Sequence, residues 1–470
     1  MKRRDVLRAL GALPALAATP AFLLQTGCNH NPHEQARRLP TQPRMPASPV
    51  KNQPTNFDSH AHTLLDEVTE RCAHYFIERA HKDTGIVFDR APANGSGAGL
   101  QYTTGSIAAT GFGLSVLCVA AQHGYLAPAA CEQRIAQTLA FIAHQVQHEH
   151  GFLPHYLHAA TGVAAANSEF SSIDTALLIA GALHARQFLN SARVDALVAT
   201  IYERVDWSWM LNGYPQQRTR AHGAPATLSM GWLPGSGFLE ARWDSYSECM
   251  LMYLLAIGSP SHPIPAGVWQ GIQRNTFDYG GIRFISSFGA LFIHQYLHIW
   301  TDLRGLGDGH SNYFENSVAA VRAHKTWCML QHGRYPWVDE RVWGFSASDT
   351  AQHAYAAWAA PPVVGDWDGT LAPHAAGGSL ALLPEESIVV LKAMREHHPP
   401  CFQRYGFVNA FLPGGEGRAD WFDSDVIASD LALTMLMAEN QRGGTVRSLS
   451  MRNPELLHAI HAVGFHRLET

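Results

Sequence analysis

Three stretches of this chain place carboxylates where an apolar run begins. Glu169 and Asp174 stand in "NSEFSSIDTALL", Asp244 and Glu248 in "RWDSYSECMLMYLLAIGSP", and Asp423, Asp425 and Asp430 in "WFDSDVIASDLALTM". A single acid in such a place caps backbone N–H groups and complements the helix dipole. Ser245 with Glu248 three residues on even fits the capping box. Acids recurring at three such starts, with Trp243 and Trp421 beside them, suit one cavity better. Two carboxyls and aromatic platforms are the equipment of glycoside hydrolysis. One acid keeps its proton for the leaving oxygen, and the other is ionised to act on water or on the anomeric carbon. Capping would favour the charged form of Glu248, so the expectation is that Glu248 points into the cavity and Asp244 or Ser245 caps.

Other constellations are weaker. His294 and His298 in "HQYLH" have the i, i+4 spacing of metal ligands, but no Glu follows His294 as in HExxH. Hydrogen bonding to a sugar or to the core is the expectation there, with no metal or organic cofactor. The His-rich "HEHGFLPHYLH" (148–158) reads as a loop near a cavity mouth. There is no Walker loop, no GxGxxG after a strand and no GxSxG elbow.

The elements that would position these residues are helices of two kinds. Residues 62–80, 130–148, 193–210, 314–330, 385–397 and 454–463 are amphipathic, with apolar groups at i, i+3 and i+4. Between them lie "GSIAATGFGLSVLCVAAQ", "SSIDTALLIAGALHA", "SYSECMLMYLLAIGS", "SSFGALFIHQYLHIW", "HAAGGSLALL" and "ASDLALTMLMAEN", apolar nearly all round. A helix apolar on every side is buried on every side. Six exposed and six buried helices in alternation predict an all-α (α/α)6 toroid, with no sustained strand pattern and with the loops into the inner helices gathered at one end.

The 470 residues carry a formal net charge of −5, which offers no basic field for a nucleic-acid partner. Residues 1–28 read as an export signal. Arg3-Arg4 resembles a twin-arginine motif, and "LQTGC" a lipobox that would lipidate Cys28, giving a periplasmic, lipid-anchored protein. Residues 29–59, rich in Pro, Gln and Asn, read as a disordered tether, and 60–470 as the catalytic domain. The other six cysteines form no CxxC pair and read as buried thiols.

From about residue 70 to 465 the motifs resemble the glucoamylase-like domain of bacterial family-144 glycoside hydrolases, which degrade β-1,2-glucan on an (α/α)6 scaffold. They include "HGFLPHYLHAATG", "SSIDTALLIAGAL", "MGWLPGSGFLEARWDSYSECMLMYLLAIGSPSHPIP", "LFIHQYLHIWTDLRG", "DGTLAPHAAGGSLALLPEES" and "ASDLALTMLMAENQR", in the family's order. The resemblance implies anomeric inversion, with Glu248 as general acid, Asp430 as general base and Asp174 as a supporting acid. Glu169, Trp243, Tyr246, His294, Asp302, Arg304, Trp343, Asp368 and Trp421 are the expected substrate contacts. Two departures stand out. "SDLAL" replaces a Gly-Pro-bearing pattern around the base, and "YGFVNAF" puts Asn409 where the family more often has Asp, which leaves that position only hydrogen bonding. The alternatives are hydrolysis of another β-glycan, a polysaccharide lyase and a non-catalytic glycan-binding lipoprotein.

Overall fold

The computed structural model describes residues 59–97, 103–212, 227–287, 289–359, 367–415 and 418–469. The export segment and all of the tether except Ser59 lie outside these; Ser59 already opens the first helix.

The outer helices are α1 (Ser59–Glu78), α3 (Pro128–His144), α5 (Ala192–Glu203), α8 (Tyr313–Leu330), α10 (Pro384–His397) and α13 (Pro454–Ala462). Each has one buried stripe: α3 turns Cys131, Ile135, Leu139 and Ile142 inward and leaves its other face to solvent. Proline at the first position of α3, α10 and α13 supplies a preset φ where no N–H is needed. The inner helices are α2 (Ile107–Gln122), α4 (Ser172–Leu189), α6 (Cys249–Ile257), α7 (Leu297–Trp300), α9 (Pro373–Gly377) and α11 (Ala428–Arg442). Every residue of α2 from Ile107 to Ala120 is buried, as are all of α6. A short helix, α12 (Thr445–Ser450), links α11 to α13. The inner and outer sets form the expected toroid around a main hydrophobic core, with a small second cluster at Phe284, Ala320 and Ala323.

Close approach of inner helices is secured by glycine. A Cβ at Gly181 of α4 would lie 1.8 Å from the Gly111 carbonyl oxygen of α2, and one at Gly111 would lie 2.5 Å from the Leu177 carbonyl oxygen. That contact fixes the start of α4, and with it Asp174, relative to α2.

Two inner helices depart from the expectation. "SSFGALFIHQYLHIW" is not one helix but a 3-10 turn (Leu291–His294) followed by the single turn α7. Its amides at Ile293, Gln295 and His298 bond three residues back, and the Gln295 side chain crosses to the Ala375 carbonyl and Ser379 Oγ, both at 2.9 Å. "HAAGGSLALL" stops being helical at Gly377 and continues as turns. There Gly377 lies against Thr434 of α11, and Gly378 lies against the Gln295 amide.

The ring is also irregular after α6. Residues 260–287 form a 3-10 turn (Ala266–Gly271) and a hairpin pairing Thr276–Tyr279 with Ile282–Ile285. The C-terminal α13 packs against α6 instead, with Gly258 pressed to the Glu455 carbonyl.

Short antiparallel ladders, unseen in the sequence, join the loops that enter the inner helices. Thr104–Ser106 pairs with Tyr156–His158 just before α2, Phe170–Ser171 pairs with Leu153–Pro154 just before α4, and Asp425–Ile427 pairs with Arg90–Pro92 just before α11. Runs of two or three residues are too short for an alternating pattern to register. Among the described residues, no helix is long and apolar enough to cross a membrane, and the six cysteines are buried and unpaired.

Candidate active site

The ladders and the inner-helix N-termini line a cavity. Its wall carries the carboxyls of Asp89, Glu169, Asp174, Glu248 and Asp430 against Arg90 and His155, with Trp243, Phe292, Tyr296 and Tyr355 as aromatic surface.

At the start of α4, Ser171 caps the helix: its Oγ accepts from the Asp174 N–H at 3.2 Å and donates to the Asp174 carboxylate. The ladder to Leu153–Pro154 brings His155 alongside, its amide donating to the Glu169 carbonyl at 2.9 Å. His155 Nδ1 lies 3.0 Å from Glu169 Oε1, and Nε2 lies 3.6 Å from Asp174 Oδ1. The ring stacks on Tyr156 with centroids 4.0 Å apart. Burial raises the Asp174 carboxyl above the usual range, while His155 and Ser171 counteract it.

Glu248 precedes α6 in helical conformation and makes no side-chain cap. The expected capping by Asp244 or Ser245 does not occur. Ser245 Oγ bonds Asp244 Oδ1 at 2.9 Å, and it is Ser247 Oγ that accepts from the Cys249 N–H at 3.3 Å. Segment 244–247 is not helical, so the i, i+3 geometry of a capping box is never formed. Burial pushes the Glu248 carboxyl up to about 7; its own amide and Ser247 pull it down, and Asp174 pushes it up.

Asp430 occupies the first turn of α11. Asn409 Nδ2 donates to its Oδ2 at 2.7 Å, and Asn409 Oδ1 accepts from the Asp349 amide at 2.7 Å. Asn409 therefore ties the carboxylate of Asp430 to the backbone of Asp349, which is the hydrogen-bonding role expected of it. Burial pushes Asp430 up to about 8; the Asn409 amide and the Arg90 guanidinium act downward, Asp89 and Asp349 upward. Arg90 is shared among Asp349 at 2.9 Å, Asp89 at 3.5 Å and Asp425 at 3.9 Å. Asp423, just beyond, is buried and also raised, by burial and by Asp349.

Of the residues singled out in the sequence, Glu248, Asp430, Asp174, Glu169 and Trp243 line the cavity together. Trp243 is held by Nε1 donating to Ser172 Oγ at 3.0 Å. Seven others do not reach it. Tyr246 is buried behind the wall, stacked parallel to Tyr313, with its hydroxyl 3.3 Å from both Ser317 Oγ and His294 Nδ1. His294 itself is buried between Tyr246 and Ser286, and burial pushes both it and His298 down to about 3, so each is a neutral core imidazole. Asp302 and Arg304 follow the C-terminal end of α7, opposite the helix starts, and pair with each other at 2.6 Å. Trp343 is fully buried beneath Lys325. Asp368 accepts from the amide and hydroxyl of Thr370 at 2.9 and 2.6 Å, facing an open surface depression with Trp337 and Arg418. Trp421 is half-buried on the ladder with Leu412 and does not line the cavity.

The cavity also contains residues the sequence did not single out, namely Asp89, Arg90, His155, Tyr156, Tyr296 and Tyr355. Only His155 carried a signal, through the His-rich stretch expected near the mouth. Among the described residues, His155, Glu169 and Asp174 are the one group with metal-ligand atoms within 4.8 Å of one another.

Residues 240–454 match a family model described as "Putative glucoamylase". The chain is similar in structure to an endo-β-1,2-glucanase from Chitinophaga pinensis solved with sophorotriose and glucose: TM-score 0.75, 26% identity, covering 86% of this chain and 98% of that one. A second solved structure, described as a "putative glucoamylase" from Bacteroides caccae, gives TM-score 0.76 at 25% identity, covering 87% and 100%. A β-1,2-glucanase from Parabacteroides distasonis shares the fold, with TM-score 0.76 at 22% identity, 86% of this chain and 60% of that one. No curated protein sequence matches. By fold this chain is an (α/α)6 toroid similar to these solved structures, and its residues 240–454 match the glucoamylase family model.

Proposed function

We propose that this chain is an inverting glycoside hydrolase that cleaves β-1,2-glucan or β-1,2-glucooligosaccharides. The observation that carries the reading is that Glu248 and Asp430, from the starts of two inner helices, line one cavity in a fold shared with an endo-β-1,2-glucanase over 98% of that enzyme's length. Glu248, in an apolar and carboxylate-bearing surround that keeps its proton, donates to the leaving oxygen directly or through a substrate hydroxyl. Asp430 removes a proton from the attacking water; burial pushes its carboxyl up to about 8, so its ionised form is reached as pH rises, with Asn409 and Arg90 acting towards that form and Asp89 and Asp349 against it. The water adds on the face opposite the leaving group, so the new reducing end has inverted configuration. Asp174, Glu169 and Trp243 complete the sugar-binding wall.

A panel of linkage-defined glucans tests this. New reducing ends are expected from β-1,2-glucan and not from β-1,3-, β-1,4- or β-1,6-glucan. Cleavage of another linkage alone, ultraviolet-absorbing unsaturated products from an acidic glycan, or binding of β-1,2-glucan with no new reducing ends would each reject it.

Export to the periplasm and lipid anchoring at Cys28 belong to the same proposal, supported by Arg3-Arg4 and "LQTGC". The Cys28→Ser protein is expected to leave the membrane fraction; if the wild type is itself found free of membranes, the anchor is wrong.

A further inference from the structure

Among the described residues lining the cavity there is one imidazole, His155, and it is the buried histidine with a carboxylate at both ring nitrogens; His374 faces one, Asp430, through Nδ1 at 3.5 Å. His294 and His298 meet hydroxyl groups and are neutral. His155 instead presents Nδ1 to Glu169 at 3.0 Å and Nε2 to Asp174 at 3.6 Å. A neutral imidazole has a single N–H, and its other nitrogen would set a lone pair against a carboxylate. With both carboxyls ionised, the imidazolium is the form that answers both edges of the ring, by a hydrogen bond to Glu169 and an ion pair with Asp174. The ring cannot turn away, because it is 8% exposed, stacked on Tyr156 and pinned by the amide bond to Glu169.

We propose that His155 is a positioning residue for the acid: as an imidazolium between Glu169 and Asp174, it holds Asp174 as the carboxylate beside Glu248, and through Asp174 keeps the proton on Glu248. This rests on the reading of Glu248 as general acid. The groups facing His155 are Glu169 and Asp174 at the α4 start, Asp89 from the first loop and Tyr156 on its own strand, with Glu248 beyond Asp174. Burial alone would lower the imidazole, but Asp174, Glu169 and Asp89 lift it to about 9, so it is charged at neutral pH. Burial is the largest cause that raises Glu248, and the Asp174 carboxylate adds to it. Without the imidazolium, Asp174 loses its nearest positive charge and binds a proton itself. Its field on Glu248 then weakens, and Glu248 ionises at lower pH.

The test compares wild type, His155→Gln and Glu248→Gln on β-1,2-glucan and on β-sophorosyl fluoride, whose leaving group needs no proton. In His155→Gln the limb of the kcat/KM profile set by Glu248 is expected at lower pH, and at pH above that limb turnover of glucan is expected to fall more than that of the fluoride. A merely structural role would lower both substrates alike and leave the limb in place, which overturns the proposal. If Glu248→Gln keeps wild-type turnover on glucan, the general-acid reading fails instead, independently of His155. Nitrogen NMR of wild type labelled in histidine adds a readout that does not depend on the variant folding. His155 is expected doubly protonated near neutral pH, and a single neutral tautomer overturns the proposal.

Discussion

Glu248→Gln and Asp430→Asn are each expected to lose about 10³-fold or more in kcat on β-1,2-glucan, the upper range for removing a positioned acid or base. Each change is isosteric and leaves the cavity wall in place. Asn at 430 can still accept from Asn409 Nδ2, and Gln at 248 keeps the volume of a side chain that is 5% exposed. Loss of rate therefore reports loss of proton transfer rather than loss of fold. The two variants separate on β-sophorosyl fluoride. Fluoride departs without protonation, so Glu248→Gln should retain most of its turnover there. Asp430→Asn should not, because water must still be deprotonated. Equal loss on both substrates by Glu248→Gln would remove its assignment as acid, and wild-type glucan turnover by Asp430→Asn would remove that residue as base.

The same two variants should be more stable than the wild type in alkaline solution. Asp430 is held up to about 8 in the folded protein, against about 3.9 for an unfolded Asp. The folded state thus binds this proton more tightly than the unfolded state does. Its contribution is fully present below the unfolded value and is lost as pH rises towards 8, where the buried charge has to be formed. At 1.36 kcal/mol per unit the full penalty would be about 5 to 6 kcal/mol. The side chain is 15% exposed to cavity water, so Asp430→Asn is expected to raise the unfolding free energy by about 3 kcal/mol near pH 9 and by about zero near pH 4. Glu248→Gln should behave likewise with a smaller gain, since Glu248 is raised to about 7. Denaturant melts at the two pH values check this. A gain of equal size at both would mean the carboxyl's charge is not what the wild type tolerates. Functional groups held at a cost in stability are common in active sites.

The outer helices were legible because their pattern is local. The apolar stripe of α3 or α10 is complete within its own sequence, and the predicted bounds fall within a few residues of the observed ones at most ends. The inner helices were legible by being apolar all round, but that signal says nothing about continuity. The break at Gln295 comes from a side chain reaching Ala375 and Ser379, some 80 residues away. The acids of the site could be found since inner-helix starts converge in a toroid, which brought Glu169, Asp174, Glu248 and Asp430 into one cavity. Arg90 could not, because its partner Asp349 is 259 residues distant and its place is set by a three-residue ladder. Tyr246, Asp302, Arg304 and Trp343 have residue types suited to sugar. Only the backbone path shows that Tyr246 turns behind the wall, that Asp302 and Arg304 sit past the far end of α7, and that Trp343 is closed off from solvent.

The anomeric configuration of the first product from β-1,2-glucan tests the central claim most directly, because it depends on Glu248 and Asp430 acting from opposite sides of one sugar. Proton NMR of the early reaction is expected to show the α-anomer of the new reducing end first, with the β-anomer growing in only at the rate of mutarotation. Initial appearance of the β-anomer would mean retention through a covalent intermediate and would contradict the account.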